Sequence, residues 1–210
     1  YARQCTNASD LWASAETKVR AYTALARALV TNGDLAGAAA ARQHVEQMLV
    51  EQPEEVFADD RVQAFRARLW LLPRCGDLPA AERWADARMA GLGQEVPLTL
   101  AQEGRFLAVA RVLVALERYR DALDLLVRLR ALHESAGLHG RLIELLALVA
   151  KAYQGLGVRH QALDALRQGL GLAEQEGYVR TFVDEGAPMA DLLSELARDR
   201  RSTRAGYAGR

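Results

Sequence analysis

Four short turn-like stretches recur along this 210-residue chain at nearly equal intervals. Three of them read NGDLAGA (Asn32 to Ala38), CGDLPAA (Cys75 to Ala81) and LGVRHQA (Leu156 to Ala162). The fourth, LERYRDA (Leu116 to Ala122), carries Glu117 where the others carry glycine. Aligned on that position, Gly33, Gly76, Glu117 and Gly157 stand 43, 41 and 40 residues apart. A fixed period between about 20 and 50 residues marks an array in which one supersecondary unit is repeated. Such a unit cannot bury its apolar face alone, so it folds only by stacking on its neighbours.

Each unit reads as two helices joined by a tight turn. Glycine suits a helix end that needs positive φ. The alanine five residues later (Ala38, Ala81, Ala122, Ala162) suits close approach of the second helix to the first. Upstream of each turn the frame gives a large-large-small-large stripe: Tyr22, Leu25, Ala26 and Leu29; Phe106, Val109, Ala110 and Leu113; Leu146, Val149, Ala150 and Tyr153. The second unit gives Phe65, Arg68, Leu69 and Leu72, with one charged departure. This spacing turns one face of each first helix toward a core. The periodicity predicts helices near 10–31, 35–51, 58–73, 78–91, 99–117, 120–136, 139–155, 159–175 and 187–199. The pattern resembles the tetratricopeptide repeat, with units longer than the usual length of about 34 residues. The expected fold is therefore all-α, a right-handed solenoid of about four helix pairs over residues 1–176. A crossover loop and capping helix follow over 177–199, then a basic linker over 200–210. From Arg198 to the end there are five arginines and one aspartate.

Gln52-Pro53, the stretch from Gly91 to Pro97, Gly137 and Gly177 are the expected breaks between units. The segment EGYVRTFVDEGAPMADLL (Glu176 to Leu193) is the most distinctive loop. Tyr178, Phe182 and Val183 can pack on the last repeat, and Arg180 can pair with Asp184 or Glu185. After Gly186, Pro188 fits the first turn of a helix, where its missing N–H costs nothing. The loop holds no nucleophile and no histidine, so it reads as an extended crossover that seats a terminal helix on the open end of the array. Arrays need such a cap because the last repeat otherwise exposes apolar surface.

The composition limits the alternatives. Half of the residues are apolar, and a chain of this size can bury roughly 70% of its unfolded surface. Its 27 basic and 27 acidic residues cancel, which argues against direct nucleic-acid or anionic-membrane binding. Cys5 and Cys75 lack CxxC spacing and read as reduced thiols, in keeping with a cytoplasmic protein. No apolar run reaches membrane-spanning length, and no signal peptide is visible. The first residue is Tyr1 rather than methionine, as expected of a fragment or processed product.

Motifs that carry chemistry are missing. No GxxxxGK[ST] occurs, and the GxG pieces at Gly91, Gly155 and Gly169 never reach the third glycine of GxGxxG; they read as helix ends or, for the last, close helix packing. His44, His133, His139 and His160 show no metal-site spacing and read as surface or groove residues. Glu54, Glu55, Asp59 and Asp60 read as a solvated helix start rather than a metal cluster. Ser135 lacks the glycine of a GxSxG elbow. The expectation is a non-enzyme with no metal and no cofactor of its own.

The run GYVRTFVDEGAPMADLL resembles the end of the helical-repeat region in large ATP-binding LuxR-type transcriptional regulators of the MalT-like family. RARLWLLPRCGDLPAAERWA (Arg66 to Ala85) and LAVARVLVALERYRDALDLLVRL (Leu107 to Leu129) resemble earlier repeats of that region. The resemblance covers nearly the whole chain. It implies a module for inducer sensing and self-association, set between an N-terminal P-loop ATPase and a C-terminal helix-turn-helix, neither of which this sequence contains. ATP and DNA would then be bound only by those other modules.

In arrays of this kind the first helix of each pair lines the inner groove. The repeat frame places Arg20, Thr23, Arg27, Gln63, Arg66, Trp70, Arg111, Glu144, Lys151 and Gln154 there. Four arginines and a lysine suit an anionic or polar effector, or an acidic peptide, and Trp70 could stack on a sugar or ring. The other reading makes Trp70 and Trp84 core residues and leaves the arginines solvated. Two functions follow: the sensor segment of a transcription regulator, or a stand-alone interaction scaffold with no small ligand.

Overall fold

The first helix, α1 (Ala15–Thr31), begins where Ser14 accepts a hydrogen bond from the Thr17 backbone N–H. It is followed by α2 (Leu35–Val50), α3 (Asp60–Trp70), α4 (Leu78–Ala90), α5 (Glu103–Ala115), α6 (Tyr119–Ala136), α7 (His139–Gly155), α8 (Arg159–Glu176), the short α9 (Arg180–Val183) and α10 (Ala187–Ala208). These elements come from a computed structural model that describes residues 14–51, 59–92, 98–176, 180–183 and 185–208. Among them there is no strand, and the fold is all-α, built of tetratricopeptide-like helix pairs. The expected breaks at Gln52-Pro53 and Gly177, and Cys5, lie outside the described residues.

The recurring Gly-Asp explains how the pairs are joined. Asp34 and Asp77 are the N-caps of α2 and α4, accepting from the backbone N–H of Gly37 at 2.8 Å and of Ala80 at 3.0 Å. A side-chain oxygen there satisfies one of the donors that the first helical turn leaves open. Gly33 and Gly157 hold φ of +79° and +74°, as a helix end of this kind requires. The second turn differs from expectation: its left-handed residue is Arg74 at φ +66°, not Gly76. Gly76 is needed for another reason. A Cβ there would collide with the Trp70 carbonyl oxygen and sit 2.7 Å from that of Leu72. The expected small contacts hold throughout, with Ala38, Ala81, Ala122 and Ala162 all wholly buried.

Chain packing falls into two compact units, Tyr1–Leu116 and Glu117–Arg210, so the expected boundary at 176/177 falls inside the second. In the first unit, α1 packs on α2 and α3, and α5 packs on both α3 and α4. Its core joins Val19, Ala26, Ala38, Val45, Leu49, Val62 and Leu69. In the second, α7 packs on α6 and α8, and α10 lies against both α7 and α8. Ile143, Ala147, Ala150, Leu166, Phe182, Met189 and Leu192 form that core. The glycine at 169 serves close packing: a Cβ there would lie 3.3 Å from both Leu146 and the Phe182 ring.

Two expectations near the C-terminus are corrected. The crossover is not wholly extended, because Arg180–Val183 forms a helical turn. The segment expected as a linker is helical as far as Ala208, since α10 continues through it.

Glu117 adopts φ +59° in the position where other repeats use glycine. Left-handed backbone costs an L-residue about 1–2 kcal/mol, and glycine avoids this at some cost in unfolded-chain entropy. Glu117→Gly is expected to raise the unfolding free energy by about 0.5–1 kcal/mol in urea denaturation. The same carboxylate acts on Tyr119, whose phenol pKa is raised first by burial and second by Glu117. A raised folded pKa favours the neutral phenol. The linked stability is therefore full below the ordinary tyrosine value near 10 and is lost as pH rises through the raised value. Difference absorbance of the phenolate should show Tyr119 titrating earlier in Glu117→Gly; an unmoved titration would remove Glu117 as a cause.

Candidate functional site

In the first unit, α1, α3 and α5 carry all seven sequence-predicted groove positions, with Trp70 the last residue of α3. Arg20 is exposed, while Arg27 and Arg111 are half-buried. The others are less accessible than the repeat frame implied. Thr23 and Gln63 are only 4% and 2% exposed. The Thr23 hydroxyl donates to the Val19 carbonyl at 2.7 Å, a bond that satisfies a buried hydroxyl within its own helix.

Arg66 and Trp70 are held by an acid from a different helix. Glu46, on α2, accepts from Arg66 Nε at 2.9 and 3.0 Å and also contacts Nη2. Its Oε1 also accepts from Trp70 Nε1 at 2.9 Å. The Arg66 guanidinium lies 4.7 Å from the Trp70 ring centroid, and Trp70 meets Trp84 edge-on at 6.2 Å. Forked, charge-assisted bonds of this kind are the strong ones. Trp70 is 4% exposed. It is thus a core residue with its polar edge satisfied, and the idea of a free stacking platform is corrected.

The second unit contains the remaining groove positions, all on α7. Glu144 is half-buried and pairs with Arg141 at 3.5 Å. Gln154 is half-buried, with its Oε1 buried and without a hydrogen-bond partner among the described residues. Lys151 joins two features that the sequence kept apart. Its ammonium donates to Glu185 Oε2 at 2.8 Å and to the Glu185 carbonyl at 3.3 Å. The Glu185 side chain is only 4% exposed, against 20% for Lys151. A residue expected to face ligand therefore pins the distinctive loop instead.

Phe182 is 3% exposed and packs with α7, α8 and α10. Gly186 and Pro188 are exposed, and Pro188 lies in the first turn of α10. Tyr178 and Asp184 lie outside the described residues, as does the side chain of Arg180, so the expected Arg180 pairing with Asp184 lies there too.

His133 is 1% exposed, correcting its expected place at the surface or groove. His44 is exposed and stacks on Tyr22 at 4.5 Å, and His160 is exposed; the side chain of His139 is not described. Of the four acids near the start of α3, Asp59 is the N-cap, accepting from Arg61 N at 2.7 Å. Asp60 pairs with Arg105 at 3.3 Å, and Glu54 and Glu55 are not described. Among the described residues no group of His, Cys, Asp and Glu could hold a metal ion, and no helix is long and apolar enough to cross a membrane.

Sequence reasoning missed a second cation–aromatic cluster. Arg88 lies 5.3 Å from the Trp84 ring centroid and Arg105 5.0 Å from that of Phe106. The Arg88 pKa is lowered, first by burial and next by Arg105, with Asp60 opposing. The four-residue spacing of Trp84 and Arg88 is legible on one helix; the approach of Arg105 from α5 is not.

Against known proteins, the family model described as the MalT-like TPR region matches residues 1–199. Comparison with curated proteins gave no match.

Proposed function

The chain belongs to the MalT-like TPR region family, and from that premise we propose that it is the regulatory repeat region of a LuxR-type transcription regulator. The observation that carries this reading is the family match across residues 1–199. In this proposal the helical array takes up a small inducer or a peptide and alters its own self-association. ATP and DNA are handled by other modules of a cytoplasmic parent protein, a P-loop ATPase before the repeats and a helix-turn-helix after them. The repeat region itself performs no catalysis and holds no cofactor.

Within the first unit, exposed Arg20 and half-buried Arg27 and Arg111 are the groove positions best placed to meet a polar effector. In the second, Glu144 and Gln154 are the corresponding positions on α7. An inducer drives such a switch only if it binds one association state better than the other.

The other reading is an interaction scaffold with no small ligand. It is favoured by the burial of Thr23, Gln63 and Trp70, which leaves less polar surface for a small molecule than the repeat frame suggested. Thermal melting against panels of oligosaccharides, amino acids and nucleotides separates the two, followed by light scattering on any hit. A compound that raises the melting temperature and shifts the mass supports sensing. No stabilisation across the panel, with capture of a protein partner instead, would favour the scaffold. Reading the coding sequence on both sides tests the parent architecture: a P-loop upstream and a helix-turn-helix downstream are expected.

A further inference from the structure

Helix α7 is buried on two opposite faces, and the last two helices cover one of them. Ile143, Ala147 and Ala150 belong to the cluster that also holds Phe182 of α9 and Met189, Leu192 and Leu196 of α10. Leu145 and Leu148 are wholly buried too, but they lie outside that cluster, on the other side of the helix. α7 also packs on α6 and α8, while α9 and α10 pack on α7, α8 and each other. The rest of the second unit therefore keeps a core of its own.

The join between α9 and α10 is fixed by charge. The Glu185 carboxylate, almost wholly buried, accepts from the Lys151 ammonium at 2.8 Å, and the Glu185 carbonyl accepts from the same ammonium at 3.3 Å. Gly186 follows at φ +78°, a left-handed conformation that favours glycine, and α10 starts at the next residue. Further along α10, Glu195 pairs with Arg159, which is largely exposed, and exposed pairs contribute little. One cation on α7 thus holds the point from which both arms run. An ion pair taken out of water holds a seat no better than apolar residues of similar volume, yet the seat weakens steeply once either charge is lost.

We propose that α9 and α10 form a strap that opens and closes as one unit on α7 and α8, with Lys151 and Glu185 as its latch. Opening uncovers the apolar face around Ile143 and Ala150 and frees α10 from the repeats, while α6, α7 and α8 stay packed. Cooperative opening of one supersecondary element at less than the free energy of global unfolding is the expected behaviour of such a part. The contacts concerned all lie in the second unit, and none of them depends on the family-based reading or on a ligand.

Hydrogen exchange of the full 210-residue chain, read by mass spectrometry, tests this. The amides of Leu192 to Leu196 on α10 are compared with those of Leu145 to Leu148 on α7. In the parent, the α10 amides are expected to exchange roughly tenfold faster or more, since they open without the repeats. Lys151→Met should speed them about a hundredfold, as loss of one partner of a buried pair does at the lower end of its range. The α7 amides should stay within about twofold of the parent. Glu185→Gln keeps the size and an acceptor but removes the charge, and should speed α10 about tenfold. Lys151→Met combined with Glu185→Met should close the strap again. Circular dichroism checks that each variant folds, and Glu185→Gln decides the matter if Lys151→Met does not fold. Parent α10 amides that exchange in step with those of α7 would overturn the proposal, because strap and repeats would then open together. So would α7 amides that speed up as much as α10 in a folded variant, or α10 exchange that neither charge-removing variant alters.

Discussion

Gly76→Ala is expected to lower the unfolding free energy by about 2–4 kcal/mol, a size reserved for changes that break a packed or hydrogen-bonded site. The added methyl has no free volume: it would run into the Trp70 carbonyl oxygen and lie 2.7 Å from that of Leu72. Both oxygens are in use. The Trp70 carbonyl accepts from Asp77 N and the Leu72 carbonyl from Gly76 N, each at 2.9 Å. These bonds join the end of α3 to the capped start of α4, so relieving the clash disturbs the turn and the N-cap together. Urea denaturation followed by tryptophan fluorescence measures the loss. Gly104→Ala is the control, because a Cβ there meets nothing within 4 Å; it should be neutral or slightly stabilising. If Gly76→Ala unfolded within about 0.5 kcal/mol of the parent, as neutral surface changes do, close approach would not be why glycine stands there.

The second large effect is expected at Lys151. Replacing it with methionine keeps the aliphatic stem and removes the cation from a carboxylate that is 4% exposed. Removing one partner of a buried pair costs about 3–5 kcal/mol, because the remaining charge stays desolvated. The partial exposure of Lys151, at 20%, places the expectation near the lower end, about 3 kcal/mol. The loss should centre on the seat of α10, so limited proteolysis ought to release the C-terminal helix first. Lys151→Met combined with Glu185→Met should recover most of the loss, since an apolar pair of similar volume often replaces a buried ion pair without penalty. A single-variant cost below about 1 kcal/mol, the range of exposed pairs, would show that the loop is held by Phe182 and its apolar neighbours alone.

Much of the architecture was legible because helical periodicity is a local property. Apolar residues three and four apart, acids and glycines at the turns, and a period near 41 residues placed most helices within a few residues of their observed bounds. The repeat alanines were read as points of close approach, and each is wholly buried. The Glu176 to Leu193 segment was read as the seat of a last helix; of its described residues, Phe182 and Met189 share one buried cluster.

What the chain by itself determined was therefore the helices, their order and the small residues at which they meet. Only the tertiary structure decided which polar residues remained available. Thr23, Gln63 and Trp70 share a repeat frame with exposed Arg20, yet neighbouring helices cover them. Glu46 satisfies Arg66 and Trp70 from a separate helix, and Glu185 meets Lys151 across 34 residues of sequence. Arg105 reaches Asp60 across 45. The reason is one of range: a period of 3.6 residues fixes which side chains share a face. Which charges meet depends on how far each helix is rotated and shifted against the next, and that is set by the packing of the whole unit.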